Sequence, residues 1–217
     1  MKKTVLFLIS MTPALFGQET TLELDPAQSQ VQFTLGATLH TVHGSFKLKR
    51  GSVNYDLATG KCTGEIVIDA QSGATGNDSR DNKMHKSVLE SDRYPEMVFV
   101  PDHVEGTLAK ASVHGRFRIH GNDHEMTMTF AAVPRGNEME VTTQFVIPYI
   151  AWGMKNPSTL FLRVADKVDV EVRAHARILS GAPNATSAVQ ATAPGRRPAP
   201  DKAVPATIAR SAVPAGS

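Results

Sequence analysis

His40 and His43, in His40-Thr-Val-His43-Gly44, invite a metal reading. Residues three apart on a strand point to opposite faces, so this pair chelates one ion only across a bulge. His120 and His124 flank a turn, but Asp123 and Glu125 beside them mark a solvated hairpin tip. Isolated, hydrogen-bonded or exposed histidines are the expectation, with no metal ligand. Asp25, Arg80 and Asp81 are of the right types for acid–base work, but the sequence sets no mutual geometry for them. Arg80 can instead pair with a ligand's polar head group, or cap or salt-bridge locally with Asp81. Cys62, the one cysteine, is expected to be a small buried side chain rather than a reactive thiol. There is no G-x-S-x-G, no H-E-x-x-H and no phosphate-cradling glycine loop, so no catalytic residue and no catalytic cofactor are expected.

The elements that must carry these groups are strands. Apolar residues recur with period two: Phe46 and Leu48, Ile66 and Ile68, Phe117 and Ile119, then Met126, Met128 and Phe130, and finally Val168, Val170 and Val172. Charged or hydroxylated residues fill the alternate positions in every set but Ile66 and Ile68, giving one covered face and one wet face. Leu57–Gly60, Gly121–Asp123 and Pro134–Asn137 supply the glycine, proline and Asn/Asp that tight turns need. One helix interrupts the pattern over Asp78–Leu89, with Asp78 as its cap and Met84 and Val88 on one face. Successive hairpins at this spacing predict an all-β, extended antiparallel barrel of about eight strands, with a short helix near one end. Such a barrel fills its interior with side chains or holds one small ligand, and periodicity leaves both open.

The ends differ from the middle. Residues 1–17 read as a signal peptide: Lys2 and Lys3, an apolar run over Val5–Ile9, then small residues to Gly17. Residues 180–217 hold 11 Ala and 6 Pro with no aromatic side chain, which predicts a disordered tail. The 217-residue chain carries a formal net charge of +2, too little to argue for nucleic acid. Residues 18–179 hold 17 basic and 20 acidic side chains, so the slight positive excess belongs to the ends.

The order of motifs resembles one known family. Asp25-Pro-Ala-Gln-Ser29 leads into Val31 and Phe33, then come His40-Thr-Val-His-Gly44-Ser-Phe46, Ile66-Val-Ile-Asp69, Arg80-Asp81, Tyr94-Pro-Glu-Met-Val-Phe99, Gly115–Gly121 and Val164–Val172. This series is similar to the YceI-like family, lipocalin-like periplasmic proteins that bind polyisoprenoids, and spans roughly residues 18–179. Where that family commonly follows Arg-Asp with His-Leu, this chain has Asn82-Lys83-Met84. The resemblance implies an apolar tunnel holding an isoprenoid quinone or polyprenyl lipid for transport, storage or sequestration. Its implied ligand-binding residues are Phe33, Leu35, Phe46, Leu48, Ile66, Ile68, Arg80, Met97, Phe99, Phe117, Ile119, Met126, Met128, Phe130, Phe145, Ile147 and Trp152. It also implies periplasmic residence or secretion. The expected partners are the lipid, a transient membrane-surface contact and a homodimer, without nucleic acid or an integral span after signal cleavage. Two other classes remain beside it: a filled barrel serving as a structural or interaction module of the cell envelope, and an enzyme on a small apolar substrate using His40, His43 or Arg80.

Overall fold

The computed structural model describes residues 19–180, apart from Leu39, Leu160 and Phe161. The expected signal, 1–17, lies outside the described residues, as does the expected tail beyond its first residue. Eight strands form one closed antiparallel barrel, each pairing with its neighbour in sequence and β1 closing on β8. They are β1 (Thr20–Gly36), β2 (Thr41–Asp56), β3 (Lys61–Ala74), β4 (Glu96–Thr107), β5 (Lys110–Ile119), β6 (Asn122–Arg135), β7 (Glu138–Ile147) and β8 (Val168–Ser180). Helix α1 (Asp78–Lys83) and a π-helical turn (Met84–Leu89) lie between β3 and β4.

The hairpins follow from local chemistry. β5 and β6 join through His120 and Gly121, with φ of 51° and 79°. Positive φ at both central residues makes the primed turn whose twist matches antiparallel strands. The turn therefore sits one residue earlier than the sequence pattern suggests. Asp56 opens the β2–β3 turn by accepting from the Ala58 N–H at 2.9 Å and the Thr59 hydroxyl at 2.9 Å.

β1 passes through Pro26 without ending. Its pairing with β8 slips between Asp25 and Gln30, a bulge that needs no donor from the proline. Asp25 stabilises the bulge by accepting from the Ala27 N–H and the Gln28 amide, while the Ser29 hydroxyl donates back to the Asp25 carbonyl at 2.6 Å. At ~3.3 Å per residue the 17 residues of β1 would span roughly 55 Å unbulged, far beyond a usual strand.

The expected single helix is two short pieces. Asn77, not Asp78, is the cap, its side chain accepting from the Arg80 N–H at 3.0 Å. Asp81 turns back to accept from the Thr75 N–H and hydroxyl. The π-helical turn is pinned to β3 by His85, whose Nε2 donates to the Gly73 carbonyl at 2.8 Å while Nδ1 accepts from the Ser91 hydroxyl. Met84 and Val88 both face the barrel, as their spacing implies.

Candidate functional site

The odd strands end at the helix-bearing end of the barrel, and the tight β2–β3, β4–β5 and β6–β7 turns close the other. Between these ends runs a cavity of about 530 Å³, so the barrel is not filled. That volume lies within the range of ligand pockets, about 300–1,000 Å³. Large and small side chains divide the interior. Along β8 the inward row runs Val168, Val170, Val172, Ala174 and Ala176, and Ala176 pairs with Leu24 on one side and Met139 on the other. Two alanines where neighbouring strands carry Leu and Met leave space that a second large residue would close.

All the expected ligand-binding residues line this cavity except Met126 and Trp152. Both pack against the core from outside the lining. Trp152 is held there by stacking flat on His124, ring centroids 4.1 Å apart and planes 7° apart, and it lies 6.1 Å from Phe117. His124 is thus no solvated tip residue, and His120 packs on Tyr94 at 4.8 Å. The sequence reading missed Val168, Val170, Val172, Ala174 and Ala176 as wall residues, although the period of two already ran through Val172 and continues to Ala176.

Polarity is graded along the cavity. The exposed lining residues are His40, Asn77, Ser79, Lys83 and Thr159, and all belong to the helix-bearing end. There the segment after β7 is tied to the β1–β2 hairpin: the Thr38 N–H donates to the Arg163 carbonyl at 2.9 Å and Ala37 bridges Val164. The Tyr149 hydroxyl donates to the Ala165 carbonyl at 2.7 Å, and burial pushes its pKa up to about 12. The opposite end is walled by Leu22, Leu57, Leu108 and Met139. Cys62 lies in this deeper wall, 2% exposed, and burial pushes its thiol up to about 11. Such a thiol carries almost no thiolate at neutral pH and is a poor nucleophile.

The imagined acid–base groups do not assemble. His40 lines the cavity, whereas His43 pairs with the Thr34 hydroxyl at 3.1 Å outside it. Asp25 belongs to the β1 bulge. On the outer surface His114 places Nδ1 2.8 Å from Asp102 and Nε2 3.4 Å from Glu125, and the hydrogen bond to Asp102 raises its pKa. One donor atom from each of the three lies within 4.8 Å of the others. A protonated imidazole satisfies both carboxylates here, which makes this an exposed ion-pair cluster rather than part of the cavity.

The stack gives a direct pH readout. Burial lowers the His124 pKa from its ordinary 6.5, against the opposing pull of Asp123. The folded state therefore favours neutral His124. Its contribution to stability is present above the unfolded value and is lost as pH falls through the lowered folded value. Trp152 is the single tryptophan, so its emission is expected to titrate with a midpoint below 6.5, and His124→Phe should flatten that step. A midpoint above 6.5 contradicts the buried, neutral stack.

The YceI-like domain family matches the chain over residues 22–176. Burkholderia cenocepacia BcnA is similar in structure with a TM-score of 0.60 and 19% identity, covering 70% of this chain and 98% of that one. A polyisoprenoid-binding domain from Saccharophagus degradans, implicated in plant cell wall breakdown, gives 0.53 and 16%, covering 72% and 98%. A mutant Campylobacter jejuni YceI protein gives 0.54 and 15%, covering 82% and 98%. At these identities the three likenesses show a shared fold. No curated protein sequence matches the chain. No helix among the described residues is long and apolar enough to cross a membrane.

Proposed function

The chain belongs to the YceI-like domain family, and from that premise we propose that it is an exported protein holding a polyisoprenoid chain, an isoprenoid quinone or polyprenyl lipid, in the barrel cavity. The observation that carries this reading is the apolar cavity along a closed barrel, with its charged side chains confined to one end. An unbranched or methyl-branched chain fits that polarity: the tail lies among Leu, Val, Phe and Ala, and the head reaches the helix-bearing end. Each buried CH₂ contributes about 0.8 kcal/mol, so retention needs no covalent bond. Transport, storage or sequestration in the periplasm follows from such a grip, with export resting on the basic–apolar–small order of residues 1–17.

No covalent step is assigned. The groups an enzyme would draw on are apart: His43 outside the cavity, Cys62 held as a thiol, and Arg80 bonded to Thr75. Mass spectrometry of an organic extract of the purified protein tests the reading. One isoprenoid per chain is expected. A cavity that yields no lipid, and takes up none when offered an isoprenoid, would sink it.

A further inference from the structure

We propose that the lipid chain enters and leaves the cavity sideways, through a seam in the wall between β6 and β7 that Trp152 closes by stacking on His124. This rests on the reading of the cavity as an isoprenoid site and adds the route into it. The β6–β7 ladder runs only from Arg135↔Glu138 to Phe130↔Thr143. β6 nevertheless reaches back to Asn122 at the helix-bearing end, paired there with β5 alone, and β7 continues to Ile147, paired there with β8 alone. The ladder stops at a side chain: the Thr143 hydroxyl donates to the Thr129 carbonyl at 2.8 Å. From that point to the mouth, among the described residues, no ladder joins the two strands. This stretch of wall is not held by the main-chain bonds that close an antiparallel pair.

Side chains fill the seam instead. The inward row of β6 there is His124, Met126 and Met128, because His124 pairs with the cavity-lining Phe117 and Met128 with Val113. The facing lip of β7 presents Phe145 and Ile147 to the cavity, and Phe145 meets Phe117 edge-on at 6.5 Å. Trp152, from the segment after β7, lies flat on His124 at 4.1 Å and 6.1 Å from Phe117, so its indole ties the two lips together. Such packing parts without breaking a main-chain hydrogen bond. The far side of the mouth is fastened differently. There the Thr38 N–H donates to the Arg163 carbonyl at 2.9 Å, the Arg163 N–H donates to the Thr38 hydroxyl at 3.1 Å, and Lys83 donates to the Pro157 carbonyl at 2.7 Å. The seam opens onto the mouth and runs down the wall to Thr129. A chain can therefore slide in flank-first while its head stays at the helix-bearing end. It passes from a lipid surface to an apolar cavity without exposing its length to water, which is the unfavourable step for an isoprenoid.

The test loads geranylgeraniol into the purified protein, adds phosphatidylcholine vesicles, and measures the lipid left on the protein over time by extraction and mass spectrometry. Trp152→Ala should speed release and uptake alike by about tenfold, the scale of an aromatic stack, while equilibrium occupancy changes by less than about threefold. Trp152→Phe keeps a ring on His124 and should stay near the parent rate. Thr127 and Val146 are exposed on the outer faces of the two lips, at positions that would pair if the ladder continued. A short bismaleimide joining the thiols of a Thr127→Cys, Val146→Cys double variant should slow exchange by about tenfold or more, as a locked gate does. The same linker in a Thr38→Cys, Arg163→Cys double variant, across the fastened side of the mouth, should leave the rate unchanged. Cys62, 2% exposed, does not compete for the linker. Unchanged exchange in the seam-linked protein, or exchange stopped by the Thr38–Arg163 link, overturns the lateral route while leaving the isoprenoid reading standing. Release no faster in folded Trp152→Ala overturns the latch. Failure of the unaltered protein to load geranylgeraniol overturns the isoprenoid reading itself.

Discussion

Met128→Glu is expected to abolish lipid retention in a barrel that still closes. Met128 is 4% exposed, lies on the inward row of β6, pairs with Val113 and lines the cavity. A carboxylate placed there loses its water without gaining a partner, which costs several kcal/mol and drives it to stay protonated. Even protonated, it brings a polar group and a tightly held water into the path of the chain. The bound lipid would have to displace that water without replacing its hydrogen bonds. More than tenfold loss of extracted isoprenoid is expected, with a fall in stability of about 2–4 kcal/mol. Met128→Leu conserves volume and polarity, so it should cost under about 1.5 kcal/mol and keep the lipid. Circular dichroism establishes that each variant retains its strands, and extraction establishes the lipid content. Full lipid occupancy in the folded glutamate variant would remove the cavity from the binding site.

The strands were legible because their inner faces are simple. Phe117 and Ile119 alternate with Arg116 and Arg118, and the exterior arginines find partners across the sheet: Arg118 meets Asp123 at 2.7 Å. A period of two survives where one face sees the interior and the other sees water. It fails where the outside is also covered. Val67 sits between the inward Ile66 and Ile68, yet it is fully buried on the other face. It pairs with Arg50 and Val98, and Arg50 is bound to Glu65 and Glu96 in an ion-pair lattice over that patch. The run Ile66-Val67-Ile68 therefore carries no alternation at all.

The site was legible in its walls and not in its volume. An inward residue can be read from its own strand, but a cavity depends on what faces it from six or seven others. Ala174 and Ala176 create space only because the register sets them against Val141, Met139 and Leu24, and register is a long-range property. The helix cap shifted by one residue for a local reason. Asn77 and Asp78 are both good caps by type, and the choice fell to the one whose side chain could reach the Arg80 N–H. The position of Trp152 against His124 was not legible, because stacking joins the β6 start to the segment after β7, a contact with no sequence period.

Gly64→Ala is expected to be among the most damaging single-methyl changes in the barrel. Gly64 lies inside β3 with φ of +121°, a conformation that side-chain-bearing residues avoid at about 1–3 kcal/mol. Its added Cβ would fall 2.1 Å from the Ser52 carbonyl oxygen and 3.0 Å from the Val53 Cα. Those are backbone atoms of β2, fixed by the ladder in which Gly64 pairs with Val53, so no side chain can swing aside. The strand must move instead. Moving β3 disturbs the rows that point Ile66 and Ile68 into the cavity, two residues further on. A loss of about 3 kcal/mol or more is expected, which lowers Tm by roughly 10 °C for a domain of this size. Gly136→Ala separates strain from collision. Gly136 also has positive φ, +64°, but nothing lies within 4 Å of its added methyl. Only the left-handed backbone is then penalised, at about 1 kcal/mol. Thermal unfolding of the two variants side by side measures the difference. If Gly64→Ala melts no lower than Gly136→Ala, the close approach of β2 and β3 is not what requires glycine there.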